Sequence, residues 1–378
     1  MHSIRTAAVI AAWTLAGSAF AQSPGVSATA VLLGQSAPLS GVNAELGNDI
    51  RNGALAYFRK VNEAGGVHGR KIELVTLDDA NQVARSEANT RELVEQTHVF
   101  ALLGYASATL SRPALPTVEK HGVPFLAPLT GADPMRVFHK YVYNMRASYA
   151  DELEKIVEHY TTFGTRRFAV VYYDDPVGKE NVTAVERALN KRSLKPVSFA
   201  AFKDRAKPDI EGGLAEVRKG DPEVVIFTTL YKASADFIKA AREAGVSAQM
   251  VSNSFPGASA LAHELGKEGA GVAIAQVVPP PTKRSVAVVR EYQEAIEKQL
   301  GRKEYSFTSL ESFIDAKIAV EALKRAGPQP TREAFMRALD GMNNYDAGGY
   351  LVSFSPANHN GSNFVELTVI GATLKFNY

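Results

Sequence analysis

Residues 50–77 read IRNGALAYFRKVNEAGGVHGRKIELVTL, and this stretch indicates the fold class. Its first half predicts a helix, because apolar side chains recur at three- and four-residue steps, at Ile50, Ala54, Phe58 and Val61. Gly65-Gly66 ends that helix. Residues 71–77 then form an apolar-rich run that predicts a strand. A helix leading into a strand is part of the crossover from which parallel sheets are built.

The same alternation continues along the chain. Further strands are predicted at 28–33, 100–103, 124–129, 168–173, 197–202, 224–229 and 249–251. Helices are predicted at 82–96, 151–163, 180–189, 210–218, 233–244, 310–326 and 331–339. Continuous apolar strands separated by amphipathic helices predict an α/β fold whose parallel sheets are covered on both faces. The tail from residue 350 to 376 alternates and predicts antiparallel strands.

A second series of elements begins after Arg146, which suggests two lobes. Residues 71–79 (KIELVTLDD) and 167–175 (RFAVVYYDD) echo each other, although strands that end in paired aspartates also arise by chance. The length of 378 residues agrees with two domains, each large enough for its own core. The one proline-rich break is residues 277–282.

Composition excludes several classes of protein. Apolar residues make up 46% and charged residues 22%, which is ordinary for a globular chain and rules out extended disorder. The net charge is +2 without a basic tract, which argues against a nucleic-acid partner. There is no cysteine, so disulfides, thiolate metal sites and cysteine nucleophiles are excluded.

Residues 1–21 are predicted to be a signal peptide. His2 and Arg5 precede a largely apolar stretch at 6–17, and Ala19-Phe20-Ala21 gives the small-x-small pattern before a cut at Gln22. The alternative is a buried or anchoring helix, but 12 residues are too few to span about 30 Å of hydrocarbon. Trp13, the sole tryptophan, lies in this segment. We therefore expect a periplasmic protein that has no tryptophan once mature.

Motifs that carry catalysis are missing. The sequence has no Gly-x-Ser-x-Gly elbow, no His-Glu-x-x-His and no Gly-Lys-Ser/Thr phosphate loop, and its histidines show no metal-binding spacing. We therefore expect neither a metal nor an organic cofactor. Two acid pairs, Asp78-Asp79 and Asp174-Asp175, could supply carboxylates to an exported hydrolase, which stays as an alternative. Acids at strand ends also cap the following helices.

Several stretches resemble the periplasmic leucine/isoleucine/valine-binding protein family, the type I solute receptors of branched-chain amino-acid ABC transporters. The most specific is residues 62–74, NEAGGVHGRKIEL; residues 35–41 (QSAPLSG), Asp78-Asp79, Val123-Pro124 and residues 241–245 (AREAG) also fit. Residues 143–149 (YNMRASY) resemble the first passage between the lobes of this family. The resemblance runs from about Thr29 to about Ala326 and points to a less-characterised branch.

The resemblance implies a type I periplasmic binding fold, with two Rossmann-like lobes joined by three crossovers. It implies that residues 22–145 and 277–330 form lobe 1, and that residues 146–276 and 331–378 form lobe 2. The crossovers are expected near residues 143–146, near residues 277–281, and between about residues 328 and 350. Ligands of such open sheets bind beyond the carboxyl ends of the strands.

The resemblance also implies the ligand site. Two loops of lobe 1 should hold an α-carboxylate through hydroxyls and free amides, at Ser107, Ala108, Thr109, Thr130 and Gly131. In lobe 2, Asp151 matches the family's ammonium-binding acid, and Tyr231 and Tyr149 each fit a wall residue or a hydroxyl donor. The hydroxyl residues could instead cap helices, and Ser148 with Asp151 forms a capping box by itself.

Several positions depart from the family pattern, and the first-lobe serine of the family could align with Ala108. Ser254 stands where branched-chain amino-acid receptors carry a second acid, Val177 replaces an aromatic wall residue, and Leu46 replaces a tyrosine. We therefore expect a small amino-acid-like ligand or a carboxylate or amide compound that lacks the amine. The partner is expected to be a membrane permease of the ABC type, and the receptor to be a monomer and not an enzyme. A ligand-sensing receptor of the same fold is a further alternative, although the chain has no helix-turn-helix.

Overall fold

The computed structural model describes residues 23–41, 43–255, 257–373 and 375–377. The predicted signal peptide, residues 1–21, lies outside the described residues. Within the described part of the chain, every helix is too short or too polar to cross a membrane.

The strands are β1 Ala30–Ala37, β2 Lys71–Asp78, β3 Ala101–Leu103, β4 Phe125–Leu126, β5 Val142–Tyr143, β6 Phe168–Tyr173, β7 Ser198–Phe202, β8 Val224–Phe227, β9 Gln249–Ser252, β10 Ala273–Gln276, β11 Tyr345–Asp346, β12 Leu351–Val352, β13 Glu366–Ile370 and β14 Phe376–Asn377. The α-helices are α1 Ala44–Glu63, α2 Val83–Arg91, α3 Ser107–Ser111, α4 Leu115–His121, α5 Asp133–Arg136, α6 Tyr149–Thr162, α7 Pro176–Asn190, α8 Ile210–Lys219, α9 Tyr231–Glu243, α10 Ala258–Leu265, α11 Ala287–Leu300, α12 Phe307–Ala326 and α13 Arg332–Asp340. A π-helical turn, Glu92–Gln96, extends α2.

The strands form two main sheets, one in each lobe. Lobe 1 holds five parallel strands in the order β2-β1-β3-β4-β5. Lobe 2 holds seven strands in the order β14-β13-β10-β9-β8-β6-β7, of which β13 and β14 run antiparallel to their neighbours. The β8 side chains are all buried, as expected for a strand covered on both faces. This arrangement confirms the predicted two-lobe α/β fold.

Helix α12 packs lengthwise against α1 in lobe 1, and a glycine allows the close approach. A Cβ at Gly53 would lie 2.1 Å from the carbonyl oxygen of Ser309, so any larger residue would force the helices apart. The Ser312 hydroxyl donates to the carbonyl of Ile50 over 2.6 Å. Because this contact fixes the start of α12, it also fixes the side chains that α12 presents to the space between the lobes.

Helix α13 packs against lobe 1, although the boundary predicted at residue 331 assigns it to lobe 2. The Arg332 guanidinium donates to the carbonyls of Val99, Phe100 and His121, over 2.7 to 2.9 Å. The ring of Phe335 meets that of Phe100 edge-on at 5.3 Å. The third connection to lobe 2 then falls between β12 and β13, at residues 353–365, later than the expected range of about 328–350. The other two crossovers lie at residues 144–148 and 277–286.

Candidate ligand-binding site

A cavity of about 960 Å³ lies between the two lobes. Lobe 1 lines it with the start of α1, the loop after β3 and the start of α12. Lobe 2 lines it with the loops after β6, β8 and β9, and two of the crossovers contribute Arg146 and Val277. The cavity therefore sits beyond the carboxyl ends of the parallel strands, where open α/β sheets bind ligands.

Most of the predicted site residues do line this cavity: Ser107, Ala108, Thr109, Tyr149, Val177, Tyr231 and Ser254. Much of the remaining wall is apolar, with Leu46, Leu129, Leu230, Phe255 and Phe307. The wall thus combines a broad apolar surface with a few polar groups, as is usual for small-molecule sites.

The loop after β3 places Ser107 in a strained backbone conformation. Ser107 has φ +60°, a left-handed value that is uncommon for residues other than glycine. Its amide donates to the carbonyl of Leu129 over 3.2 Å, and its own carbonyl accepts from the Ser111 hydroxyl over 2.7 Å. Ala108 and Thr109 lie in the first turn of α3, where amides find no partner within the helix. This loop presents polar backbone to the cavity.

Thr130 and Gly131, which were predicted to contact the ligand, lie behind the cavity wall rather than in it. The Thr130 hydroxyl donates to the phenol oxygen of Tyr149 over 3.4 Å. The carbonyl of Gly131 accepts from the amide of Tyr149 over 2.9 Å, and a Cβ at Gly131 would lie 2.5 Å from that amide nitrogen. Both residues therefore position Tyr149, which does line the cavity.

Asp151, which was predicted to contact the ligand, lies in the first turn of α6 and outside the cavity wall. Its carboxylate accepts from the amide of Ser148 over 3.0 Å and from the Ser148 hydroxyl over 2.6 Å. The Ser148 hydroxyl oxygen in turn accepts from the amide of Asp151 over 3.0 Å. These reciprocal bonds are a capping box, so the structural alternative accounts for this acid.

Ser254 belongs to a buried charge cluster that sequence reasoning missed. The hydroxyl and amide of Ser254 donate to the two oxygens of the Glu152 carboxylate, over 2.8 and 2.6 Å. The Arg146 guanidinium donates to the Ser254 hydroxyl oxygen and lies 3.4 Å from Glu152. On its other side, Arg146 Nη1 lies 3.5 Å from Oε1 of Glu311 in α12. This cluster joins the first crossover, lobe 2 and lobe 1 at the back of the cavity.

Burial governs the protonation of the cluster. It raises the pKa of Glu152 to about 7, even though Arg146 and Ser254 favour the charged form. It also raises the pKa of Glu311, and Arg146 opposes this only in part. Burial disfavours the charge of Arg146, yet the facing carboxylates of Glu311 and Glu152 raise its pKa above the ordinary value. The guanidinium therefore stays charged, while both carboxyls hold a proton more readily than a free glutamate does.

One signal for this cluster was present in the sequence. The segment 310–326 has apolar residues on two faces, which predicts a buried helix, and it nevertheless carries Glu311 and Asp315 one turn apart. Acids in a buried helix need partners, so they could have been singled out. Among the described residues, no group of histidines and acids is arranged to hold a metal ion.

The chain is similar to known solute-binding proteins over nearly its whole length. A family model described as periplasmic binding protein matches residues 30–371. The chain belongs to this family. An amino acid binding protein of Pseudomonas aeruginosa is 25% identical over 297 residues, which cover 76% of this chain and 78% of that relative. Leu/Ile/Val-binding protein homolog 1 of Brucella abortus is 23% identical over 320 residues, covering 80% and 84% of the two chains.

A solved structure agrees with this assignment. The substrate-binding periplasmic protein of Ralstonia solanacearum superposes with a TM-score of 0.84 at 30% identity, covering 92% of this chain and 99% of that one. The predicted resemblance and fold are thereby confirmed. The family consists of solute-binding proteins, and the relatives support the role of a periplasmic solute-binding receptor of the ABC-transporter type.

Proposed function

We propose that this protein captures a small amino-acid-like compound, or a related carboxylate or amide, by closing its two lobes around it. The observation that carries this proposal is the cavity itself, whose walls come from both lobes and whose back contains two of the crossovers. Ligand contacts on both walls would favour the closed arrangement, because only differential affinity for two states can shift their equilibrium. The closed form is then the one that the permease recognises.

The shape of the cavity supports a ligand with one polar end and an apolar body. Polar backbone at residues 107–109 suits a carboxylate or amide oxygen, while Leu46, Val177 and Phe307 suit carbon atoms. The volume of about 960 Å³ is at the upper end of the range of about 300–1,000 Å³ for small-molecule pockets. A side chain at least as large as that of leucine fits this space.

We propose no catalysis, because the acid pairs are engaged in structure. One oxygen of Asp78 accepts from the amides of Leu39 and Ala80, both over 2.8 Å. Asp79 accepts from the Ser36 hydroxyl over 2.8 Å. Asp175 caps α7 by accepting from the amide of Gly178, and it also accepts from Arg205. These contacts argue against the alternative of an exported hydrolase.

The proposed receptor is a periplasmic monomer that begins at Gln22 after export. Its partners are the small ligand and a membrane permease of the branched-chain amino-acid type. Intact mass spectrometry of the protein from the periplasmic fraction checks the export step. A mass that includes residues 1–21 would contradict it.

A tryptophan reporter tests ligand capture directly, since the mature chain has no tryptophan. Val83 lines the cavity at the start of α2 and is 44% exposed. Val83→Trp therefore places an indole at the edge of the cavity, where the exposed position can hold the larger side chain. We expect its emission to shift to the blue when the refolded, ligand-stripped protein is titrated with the twenty amino acids and their des-amino analogues.

The control for this reporter is Phe163→Trp, whose side chain is 75% exposed and lies outside the cavity wall. Its emission should not change. If neither variant responds to any compound that raises the melting temperature, capture between the lobes is contradicted. A ligand at about 100 times its Kd should add about 2.7 kcal/mol to the free energy of unfolding.

A further inference from the structure

Two acids of α12 are buried beside the cavity with few partners. Glu311 and Asp315 are one helical turn apart and are 8% and 2% exposed. Glu311 lines the cavity. Within the described part of the chain, neither side chain makes a hydrogen bond, and the ion pair of Glu311 with Arg146 at 3.5 Å is the only salt bridge of the two. Buried acids are normally paired closely, so these two lack counter-charge.

Arg146 cannot supply all of that counter-charge. It pairs with Glu152 and Glu311, and its charge also lowers the pKa of Asp315 against the larger effect of burial. Glu152 is the best satisfied of the three, because Ser254 donates two hydrogen bonds to it. The phenol of Tyr350, which also lies near Glu311, brings no positive charge. The cluster therefore carries more potential negative charge than positive charge, and its under-satisfied member faces the cavity.

The expected amine site in lobe 2 is not available. Asp151 is engaged in its capping box, and the position of the second acid is Ser254, which donates to Glu152. We propose that Glu311 of lobe 1 accepts the ammonium group of the ligand, so that the ligand is an α-amino acid or another primary amine and not a simple carboxylic acid. This inference rests on the proposed function.

An anion at the cluster fits the contacts less well. The two terminal nitrogens of Arg146 already face Glu152, Glu311 and the Ser254 hydroxyl. Its remaining nitrogen, Nε, is buried and has no hydrogen-bond partner among the described residues, so it is closed to a ligand. A carboxylate placed there would also meet Glu311. An ammonium instead gives Glu311 a close donor and leaves Arg146 to Glu152.

The test compares amino acids with analogues that differ only in the amine. The pairs are L-leucine with 4-methylpentanoate and L-phenylalanine with 3-phenylpropanoate, extended to the other amino acids and their des-amino analogues. Kd is measured by calorimetry on residues 22–378, refolded after removal of bound ligand. We expect at least one amino acid to bind about tenfold or more tightly than its analogue, since hydrogen bonds to charged groups are strong.

Glu311→Gln should remove that preference while the analogue binds as before. The control is Glu321→Gln on the same helix, which lies outside the cavity wall and pairs with Arg325, and it should keep the preference. Circular dichroism verifies that each variant is folded. If Glu311→Gln does not fold, the comparison of amino acids with their des-amino analogues in the unsubstituted protein still tests the proposal.

Equal or tighter binding of the des-amino analogues overturns the assignment of Glu311 and leaves the receptor function intact. Binding of no amino acid at all also overturns it. A preference that survives in folded Glu311→Gln places the ammonium elsewhere and overturns it too. The Val83→Trp reporter judges the receptor function separately, because it responds to any ligand in the cleft.

Discussion

At the scale of single residues, the site depends on which acids already have hydrogen-bond or ion-pair partners within the protein. Asp151 has its bonds within the first turn of α6, and Asp175 has its bonds to α7 and Arg205. Glu311 has a single long ion pair and faces the cavity. These acids therefore differ in availability, and only those with unfilled bonding capacity are candidates for a ligand.

Asp151→Ala should lower stability without affecting ligand binding. The substitution removes the carboxylate of the capping box, which should cost about 1 kcal/mol of the free energy of unfolding. Chemical denaturation measures this loss, and calorimetry measures Kd. A loss of ligand affinity of more than about tenfold, in a folded variant, would return Asp151 to the site.

Asp49→Asn should stabilise the ligand-free protein, and only at higher pH. Burial raises the pKa of Asp49 from 3.8 to about 6. The folded state therefore holds this proton more tightly than the unfolded state, so wild-type stability falls as pH rises from about 4 to 6. Asparagine can still accept from the Ser306 hydroxyl. It also avoids the cost of ionising a buried carboxyl at higher pH, which is up to about 3 kcal/mol.

Thermal unfolding from pH 3.5 to 8 checks this prediction. The matched control is Asp346→Asn, because the amides of Gly349 and Gly348 lower the pKa of Asp346. The charged form of Asp346 stabilises the folded state, so Asp346→Asn should be less stable than wild type above pH 4. Parallel pH curves for wild type and Asp49→Asn would contradict the assignment for Asp49.

At the scale of elements, apolar periodicity predicted most helices and strands, and polar residues caused the errors. Strand β1 runs on to Ala37, beyond the predicted end at residue 33. Its polar end is buried because Gln35 donates to the carbonyl of Leu103 and Ser36 donates to Asp79. Partners that are distant in sequence decide such ends, so local pattern alone could not place them.

The same limit explains α13. Its sequence predicted a helix, but the choice of lobe depends on Arg332 reaching three carbonyls of lobe 1. Site loops that follow strands were predictable, since topology places them at one edge of the sheet. The pairing of Arg146 with Glu311 could not be predicted, because the two residues are far apart in sequence.

Arg332→Ala should loosen α13 from lobe 1. The variant loses three charge-assisted hydrogen bonds to buried backbone, which should lower the free energy of unfolding by about 2–4 kcal/mol. The control Arg91→Ala removes an exposed pair with Glu87 and should cost less than about 1 kcal/mol. Equal effects of the two substitutions in urea unfolding would contradict the anchoring role.

At the scale of the whole molecule, the two lobes are joined at the back and face each other across the cavity. Crossovers at residues 144–148, 277–286 and 353–365 run between the sheets, so relative motion is restricted to a hinge. On the far side, Oε1 of Glu45 in α1 lies 3.7 Å from Nδ1 of His263 in α10. Both side chains are well exposed, so this contact adds little energy and leaves the lobes able to part.

Ligand binding must supply the energy of closure in such a molecule. Moving the population of closed molecules from 1:99 to 99:1 needs about 5.5 kcal/mol of differential affinity. A ligand that contacts only one lobe cannot provide this. Bound ligand must therefore bring the two lobes together.

Small-angle X-ray scattering of residues 22–378 tests this requirement most directly. The profile is recorded without ligand and with the compound that gives the largest thermal shift, at a concentration of about 100 times its Kd. We predict a smaller radius of gyration and a shorter maximum dimension in the bound state. Unchanged values with binding verified in the same sample would contradict closure of the two lobes on a solute.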